Sequence, residues 1–233
     1  MPLVQNPSLG GGQVALLSTT TVLTPAQILA MLATGQQVVP APGAGKIIVP
    51  MSMVFVLQFG IHAYSTGGQP DKLSPSYGQN GDAPVLANID GLVTSATNLV
   101  AFAPGELFQP AGPIADDVNQ PITVFGSNYN FGPIVTATLG AGGLGYAAND
   151  TGTITNGAND ATYKVLTVGA GGAVLTFQIT GAGTACTVAN GNATVDGGAQ
   201  PGVGVGFTVN ITAVQTGDGT LKVVTYYQII PVP

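Results

Sequence analysis

Apolar and polar residues alternate with a period of two along much of this chain, and the alternation stops at glycine, proline and short polar clusters. The clearest run follows the turn-like "PAPGAGK": in "MSMVFVLQF", Met51, Met53, Phe55, Leu57 and Phe59 share one face, and Ser52, Val54, Val56 and Gln58 the other. Both faces are largely apolar, so the pattern predicts a strand buried on its two sides. Upstream, residues 14 to 22 read as a strand, after which the period changes. Thr24 suits an N-cap, Pro25 the first helical position, and Gln27 completes a Thr-x-x-Gln capping box ahead of Ile28, Leu29 and Leu32, with Gly35 as the stop. This is the one real helix the pattern predicts. Residues 65 to 84 read as a long polar loop, residues 85 to 89, 98 to 103 and 121 to 125 as short strands, and "PAGPIADD" as a further loop.

Near Gly132 the composition shifts. Residues 133 to 215 hold no helix signal and read as a hairpin array in which "ATYKVLTV" and "AVLTFQIT" flank "GAGG". In "GVGVGFTVNITAV", Phe207, Val209 and Ile211 alternate with Thr208, Asn210 and Thr212, and this segment is expected to pair with "PIVTATL". A last strong strand, residues 221 to 230, is expected to pair with the strand in the 120s. The expected fold class is therefore all-β: a β-sandwich or barrel host with one short helix, formed by residues 14 to 132 and 216 to 233, carrying an inserted, outward-projecting small β domain at 133 to 215. Residues 1 to 13, with two prolines and a glycine run, read as an extended N-terminal arm without a core of its own.

Composition changes this picture in one respect. Only 6% of the residues are Asp, Glu, Lys or Arg, where an ordinary soluble domain has about 25%. With 45% hydrophobic residues and so few charges, much of the folded surface is expected to lie against something else, which points to a subunit of an assembly. There are four lysines and no arginine, so the positive patch needed to hold a phosphate backbone is missing and nucleic acid is not an expected partner. No apolar run reaches the length of a membrane helix, and no secretory leader is recognisable at the N-terminus, so a membrane is not an expected partner and synthesis in a cytoplasm is expected. The single cysteine, Cys186, excludes an internal disulfide and reads as a small buried hydrophobe.

The chemistry-bearing motifs fail one by one. Around Gly43, Gly45 and Lys46 the phosphate-loop pattern would need glycine where Pro40 stands and Ser or Thr where Ile47 stands, and a strand rather than a helix follows. "GAGGLG" at 140 to 145 matches a dinucleotide fingerprint only formally, since "YAANDTGTITNG" cannot start an amphipathic helix; a glycine-rich loop is the expected structure. His62 is the only histidine and Glu106 the only glutamate. That inventory leaves neither a histidine metal site nor a carboxylate pair. Asp116 and Asp117 with Asp71, Asp82 or Asp218 are the only calcium candidates, without regular ligand spacing. Sequons at Asn149, Asn192 and Asn210 matter only in a secretory pathway. No cofactor, metal or catalytic residue is expected.

Several segments resemble a known class of protein. "TVLTPAQILAMLATGQQVVPAPGAGKIIVP" and the closing "TGDGTLKVVTYYQII" resemble small structural proteins of tailed bacteriophages, and the glycine-rich "GLGYAANDTGTITNGANDATYKVLTV" with "AVLTFQITGAGTACTVANGNATVDGG" resembles a β module inserted in phage virion proteins. The resemblance spans about two thirds of the chain and its motifs are structural. It implies a non-enzymatic virion component on the outer capsid surface, decorating and cementing the head as an oligomer, with a trimer the expected state and the major capsid protein the expected partner. The alternative is a tail or head-fibre component whose inserted module binds a host-surface glycan. In either case Met51, Met53, Phe55, Leu57, Val223, Tyr226 and Ile230 are expected at the core and subunit interface, with Leu3 and Val4 of the arm reaching a neighbour.

Overall fold

A computed structural model describes residues 14–78, 86–104, 118–197 and 204–232 of the 233-residue chain. The arm at 1 to 13, with Leu3 and Val4, lies outside the described residues, as do Asp82, Glu106, Asp116 and Asp117. Among the described residues the architecture is all-β, 56% strand with one α-helix.

Strands β1 (Leu17–Leu23), β14 (Thr220–Pro231), β3 (Lys46–Gln58) and β6 (Leu99–Pro104) form one four-stranded sheet in that order. A second four-stranded sheet runs β2 (Gln36–Val39), β7 (Ile122–Gly126), β4 (Lys72–Tyr77) and β5 (Ile89–Asp90). Every pairing in the two sheets is antiparallel. Their inner faces share one core, in which Phe55, Leu57, Val223 and Leu221 from the first sheet meet Leu73, Ile122 and Val124 from the second. Two of the polar groups caught in it are paired, the Tyr77 hydroxyl donating to the Ile48 carbonyl and the Tyr129 hydroxyl to Asp71 Oδ1 at 2.7 Å, whereas the buried Thr225 hydroxyl has no partner among the described residues.

Helix α1 (Pro25–Ala30) starts as its signals require. The Gln27 amide donates to Thr24 Oγ1, the Gln27 side chain accepts from the Thr24 amide at 3.0 Å, and Ile28 is buried under the sandwich. It ends at Ala30 rather than near Gly35, and Leu32, beyond its last turn, is exposed.

Three expectations are corrected. The last strand, β14, pairs with β1 and β3, not with the strand of the 120s, which belongs to the other sheet. Residues 72–77 of the expected polar loop are a strand, β4, held on both sides by β5 and β7. And β3 is buried on one face only. Its inner side chains Ile48, Met53, Phe55 and Leu57 are fully buried, while Val49, Val54 and Val56 opposite them are half-exposed. The register shifts between Tyr226 and Tyr227, where Ser52 and Pro50 are the partners, leaving Met51 as the extra residue of a β-bulge. Pro50 has no N–H to give the ladder, which favours a bulge at this point.

Between β7 and β14 the chain builds a second core. Strands β8 (Ile134–Leu144), β9 (Thr151–Ile154), β10 (Ala161–Val168), β11 (Val174–Gly181), β12 (Ala189–Asp196) and β13 (Val205–Val214) form a six-stranded, nearly closed, barrel-like sheet in the order β11, β10, β9, β12, β13, β8. The "GAGGLG" stretch belongs to β8 and its end, a strand rather than a loop. Glycine there has a use: a Cβ on Gly142 would stand 2.8 Å from the Val174 carbonyl oxygen, so its absence lets β11 approach β8. Strands β8 and β13 pair antiparallel, with Phe207, Val209 and Ile211 inward and Thr208 and Thr212 outward, as their alternation requires. Phe207 is the hub. Its ring meets those of Tyr163, Phe177 and Tyr146 edge-on, at centroid distances of 5.0, 5.3 and 5.7 Å.

The two cores meet where the chain passes in and out. Gly132 and Cys186 exchange backbone hydrogen bonds of 3.0 Å, and the Gln215 amide donates to the Pro133 carbonyl at 2.8 Å. A Cβ on Gly132 would lie 1.8 Å from the Gln215 carbonyl oxygen, which only glycine permits.

Candidate interaction surface

The side chains expected at an interface divide into two groups. Met53, Phe55, Leu57 and Val223 are 0–1% exposed inside the sandwich, so their surface is already spent on the monomer's own core and none is left for a partner. That corrects their assignment to a subunit interface. Met51, pushed out by the bulge, and Tyr226 are exposed, and Ile230 is half-buried towards the end of β14.

The opposite face of the same sheet is what solvent meets. Directly opposed residues in an antiparallel pair share a face, and the register places three rows across the four strands. One row is Val22, Lys222, Val56 and Val100; the next is Thr20, Val224, Val54 and Phe102; the third is Ser18, Tyr226, Ser52 and Pro104. Of these, Val100 is 67% exposed, Phe102 59% and Val22 53%. Lys222 is the only charged member. Strand β14 supplies the inner and outer layers at once, since Val223 and Thr225 point into the core and Val224 and Tyr226 away from it. Sequence reasoning recognised that both faces of β3 are apolar but did not single out Val22, Val100 and Phe102; their alternation with Leu23, Ala101 and Ala103 was the available signal.

The remaining candidates for chemistry are structural where they are described. Asp71 accepts hydrogen bonds from the Tyr129 hydroxyl and from the amide and hydroxyl of Thr94, at 2.7, 2.9 and 3.0 Å. Asp218 Oδ1 accepts from the amides of Ile61 and His62 at 2.8 and 2.9 Å. These amide donors, that of His62 foremost, hold the Asp218 carboxyl below its ordinary range. The backbone amide and hydroxyl of Thr184 act likewise on Asp160. Burial pushes the Tyr64, Tyr129 and Tyr163 hydroxyls far above the usual phenol value, and raises the Cys186 thiol, which argues against a reactive thiolate. His62 is exposed, and its backbone ties it to Asp218: its amide donates to the carboxylate, and its carbonyl accepts from the Asp218 amide at 3.2 Å. The Gly43 amide donates to Asn119 Oδ1 at 2.9 Å, so this loop's donor serves the turn. Among the described residues no three His, Cys, Asp or Glu side chains come together as a metal site, and no helix is long and apolar enough to cross a membrane. Comparison with known proteins returns no match, neither to a family model nor, at a significant level, to a curated protein or a solved structure.

Proposed function

We propose that this chain is a non-enzymatic structural protein of a phage virion, which decorates and cements the capsid exterior as an oligomer, with a trimer the expected state. The observation that carries the reading is the outward face of the first sheet. A monomer that kept Val22, Val100, Phe102 and Tyr226 permanently in water on a surface with one lysine would invite unspecific association. Against a neighbouring subunit or a shell, the same rows gain about 25 cal/mol for each Å² of apolar area removed from water. The phage context is supported by the resemblance of the helix-turn-strand and closing segments to tailed-phage structural proteins.

The size of the face also bears on how it would work. Four strands about 4.8 Å apart and six residues at about 3.4 Å rise cover a plane of roughly 400 Å², against about 800 Å² per partner in a standard interface. One such face does not hold a subunit by itself. Several linked copies, each contributing a patch of this size, would share a long residence time.

The test has two arms. Light scattering on the purified chain should give an oligomer, and Val100→Asp with Phe102→Asp should give a monomer of nearly unchanged thermal stability, since exposed positions move stability by about 0.5 kcal/mol or less. Co-sedimentation with undecorated heads of the encoding phage should retain the wild type and lose the double variant. A monomeric wild type without affinity for heads or tails sinks the reading.

A further inference from the structure

A cavity of about 540 Å³ opens at the seam between the two cores, and its lining comes from both. Asn128 and Asn130 follow β7; Thr187 and Val188 precede β12; Thr212, Val214 and Thr216 lie at and beyond the end of β13. The volume falls in the range of small-molecule sites, about 300 to 1,000 Å³. None of the eight lining residues is charged, and five are amides or hydroxyls.

The polar groups are held in place. Asn128 Oδ1 accepts from the Asn130 amide at 3.1 Å and from Asn130 Nδ2 at 3.0 Å, and Asn130 Nδ2 also donates to the Leu29 carbonyl at 3.2 Å. Both side-chain amides are thereby fixed. Asn128 Nδ2 is left as a donor and Asn130 Oδ1 as an acceptor with no partner among the described residues. The Thr187 and Thr216 hydroxyls, free to donate or accept, are in the same condition, whereas the Thr212 hydroxyl is taken up by Thr136 at 2.7 Å. Val188, 61% exposed, and Val214 supply aliphatic surface beside them.

From this we infer that the seam cavity binds a short neutral saccharide. A sugar presents adjacent hydroxyls that each donate and accept, which match a fixed amide donor, a fixed amide acceptor and two adaptable hydroxyls. Its C–H faces match valine. An anionic sugar, phosphate or nucleotide would enter without a cation to meet it, and its desolvation would go uncompensated. Prior fixation of the two amides lowers the ordering cost of binding. The site is independent of the outward sheet face, so it stands or falls separately from the shell-binding reading.

The experiment uses the full chain and a panel of glucose, galactose, N-acetylglucosamine and their β-linked dimers, with glucuronic acid as the charged control. Saturation-transfer NMR and calorimetry should show at least one neutral sugar binding at millimolar concentration or better, and the uronic acid not binding. Thr187→Val with Thr216→Val removes two hydroxyls and should weaken binding about tenfold or more. Val188→Trp, at an exposed rim position that accepts bulk without repacking, should block it while the thermal transition stays in place. Sugar binding that survives both variants, or no neutral sugar binding at all, overturns the proposal. Loss of shell attachment by Val100→Asp with Phe102→Asp, with sugar binding retained, would separate the two surfaces.

Discussion

Deleting residues 133–215 and joining Gly132 to Thr216 through a short turn should leave the sandwich folded. The backbones at the two ends already touch, through the 2.8 Å bond from Gln215 to Pro133 and the close packing of Gly132 on the Gln215 carbonyl. Among the described residues, no member of the sandwich core comes from 134–214. The deletion removes the two hydrogen bonds between Gly132 and Cys186, worth about 1 to 3 kcal/mol together at about 0.5 to 1.5 each. For a domain of this size that lowers the melting temperature by roughly 10 °C at most.

The informative contrast is Phe207→Ala, which leaves the segment in place but weakens it so that it melts before the sandwich. Phe207 is 1% exposed and touches three aromatic rings, so its loss costs about 3 to 5 kcal/mol. A unit of about eighty residues holds only about 4 to 12 kcal/mol in total. Once melted, it makes the sandwich close a flexible loop of about eighty residues instead of a short turn, roughly four doublings of length at about 0.6 kcal/mol each. The sandwich in Phe207→Ala should therefore be less stable than in the deletion by about 2 to 3 kcal/mol, although the deletion is the larger change. Calorimetry should resolve two transitions in Phe207→Ala, and hydrogen exchange should show β3 and β14 still protected between them. If the deleted chain shows no protected amides in β3, or if Phe207→Ala shifts both cores together in one transition, the two cores are a single cooperative unit and the reasoning fails.

Tyr129→Phe removes the hydroxyl that donates to buried Asp71 and should cost about 1.5 to 3 kcal/mol, as for other hydrogen bonds to charged groups; an unmoved urea midpoint would show that Thr94 alone satisfies the carboxylate. Asp218 ionises more readily in the folded chain than in the unfolded one, so its clamp on the Ile61 and His62 amides contributes at pH values above the ordinary carboxylate pKa of about 3.9 and is lost as pH falls through the lower folded value. Asp218→Asn should therefore flatten the fall in melting temperature below about pH 4, while exchange of the Ile61 and His62 amides at neutral pH quickens; an unchanged acid limb would assign that fall to other carboxylates.

What could be read from the residues was mostly what they decide locally. The start of the helix was legible because Thr24, Pro25 and Gln27 each satisfy a backbone group within one turn. Its end was not, because Gly35 is a permissive stop and the chain turned earlier, at Met31. Strands β10, β11 and β13 were legible because their alternation is regular and glycine marks the turns. Strand β4 carried no such mark. "KLSPSY" has a proline at its centre and serine on both sides of it, and it is a strand because β5 and β7 pair with it from either side, a relation between residues far apart in sequence. The pairing of β14 failed for the same reason: a strongly apolar strand advertises that it has neighbours without saying which.

The bulge at Met51 shows how a small backbone event redirects the functional reading. In the sequence, Met51, Met53, Phe55 and Leu57 continue one period, and only the preceding Pro50 marks a break. In the fold, Pro50 interrupts the ladder and one residue is left unpaired, so Met51 leaves the face on which Met53 lies. The choice between the two apolar faces of β3 is then made by the second sheet, which packs on the side carrying Phe55 and leaves Val54 and Val56 outside. A sequence this poor in charge makes some unpartnered apolar face almost unavoidable, since there are few ionic side chains to cover one. Which face that is depends on which strands pair and on where a single proline shifts the register, and both are properties of the folded chain.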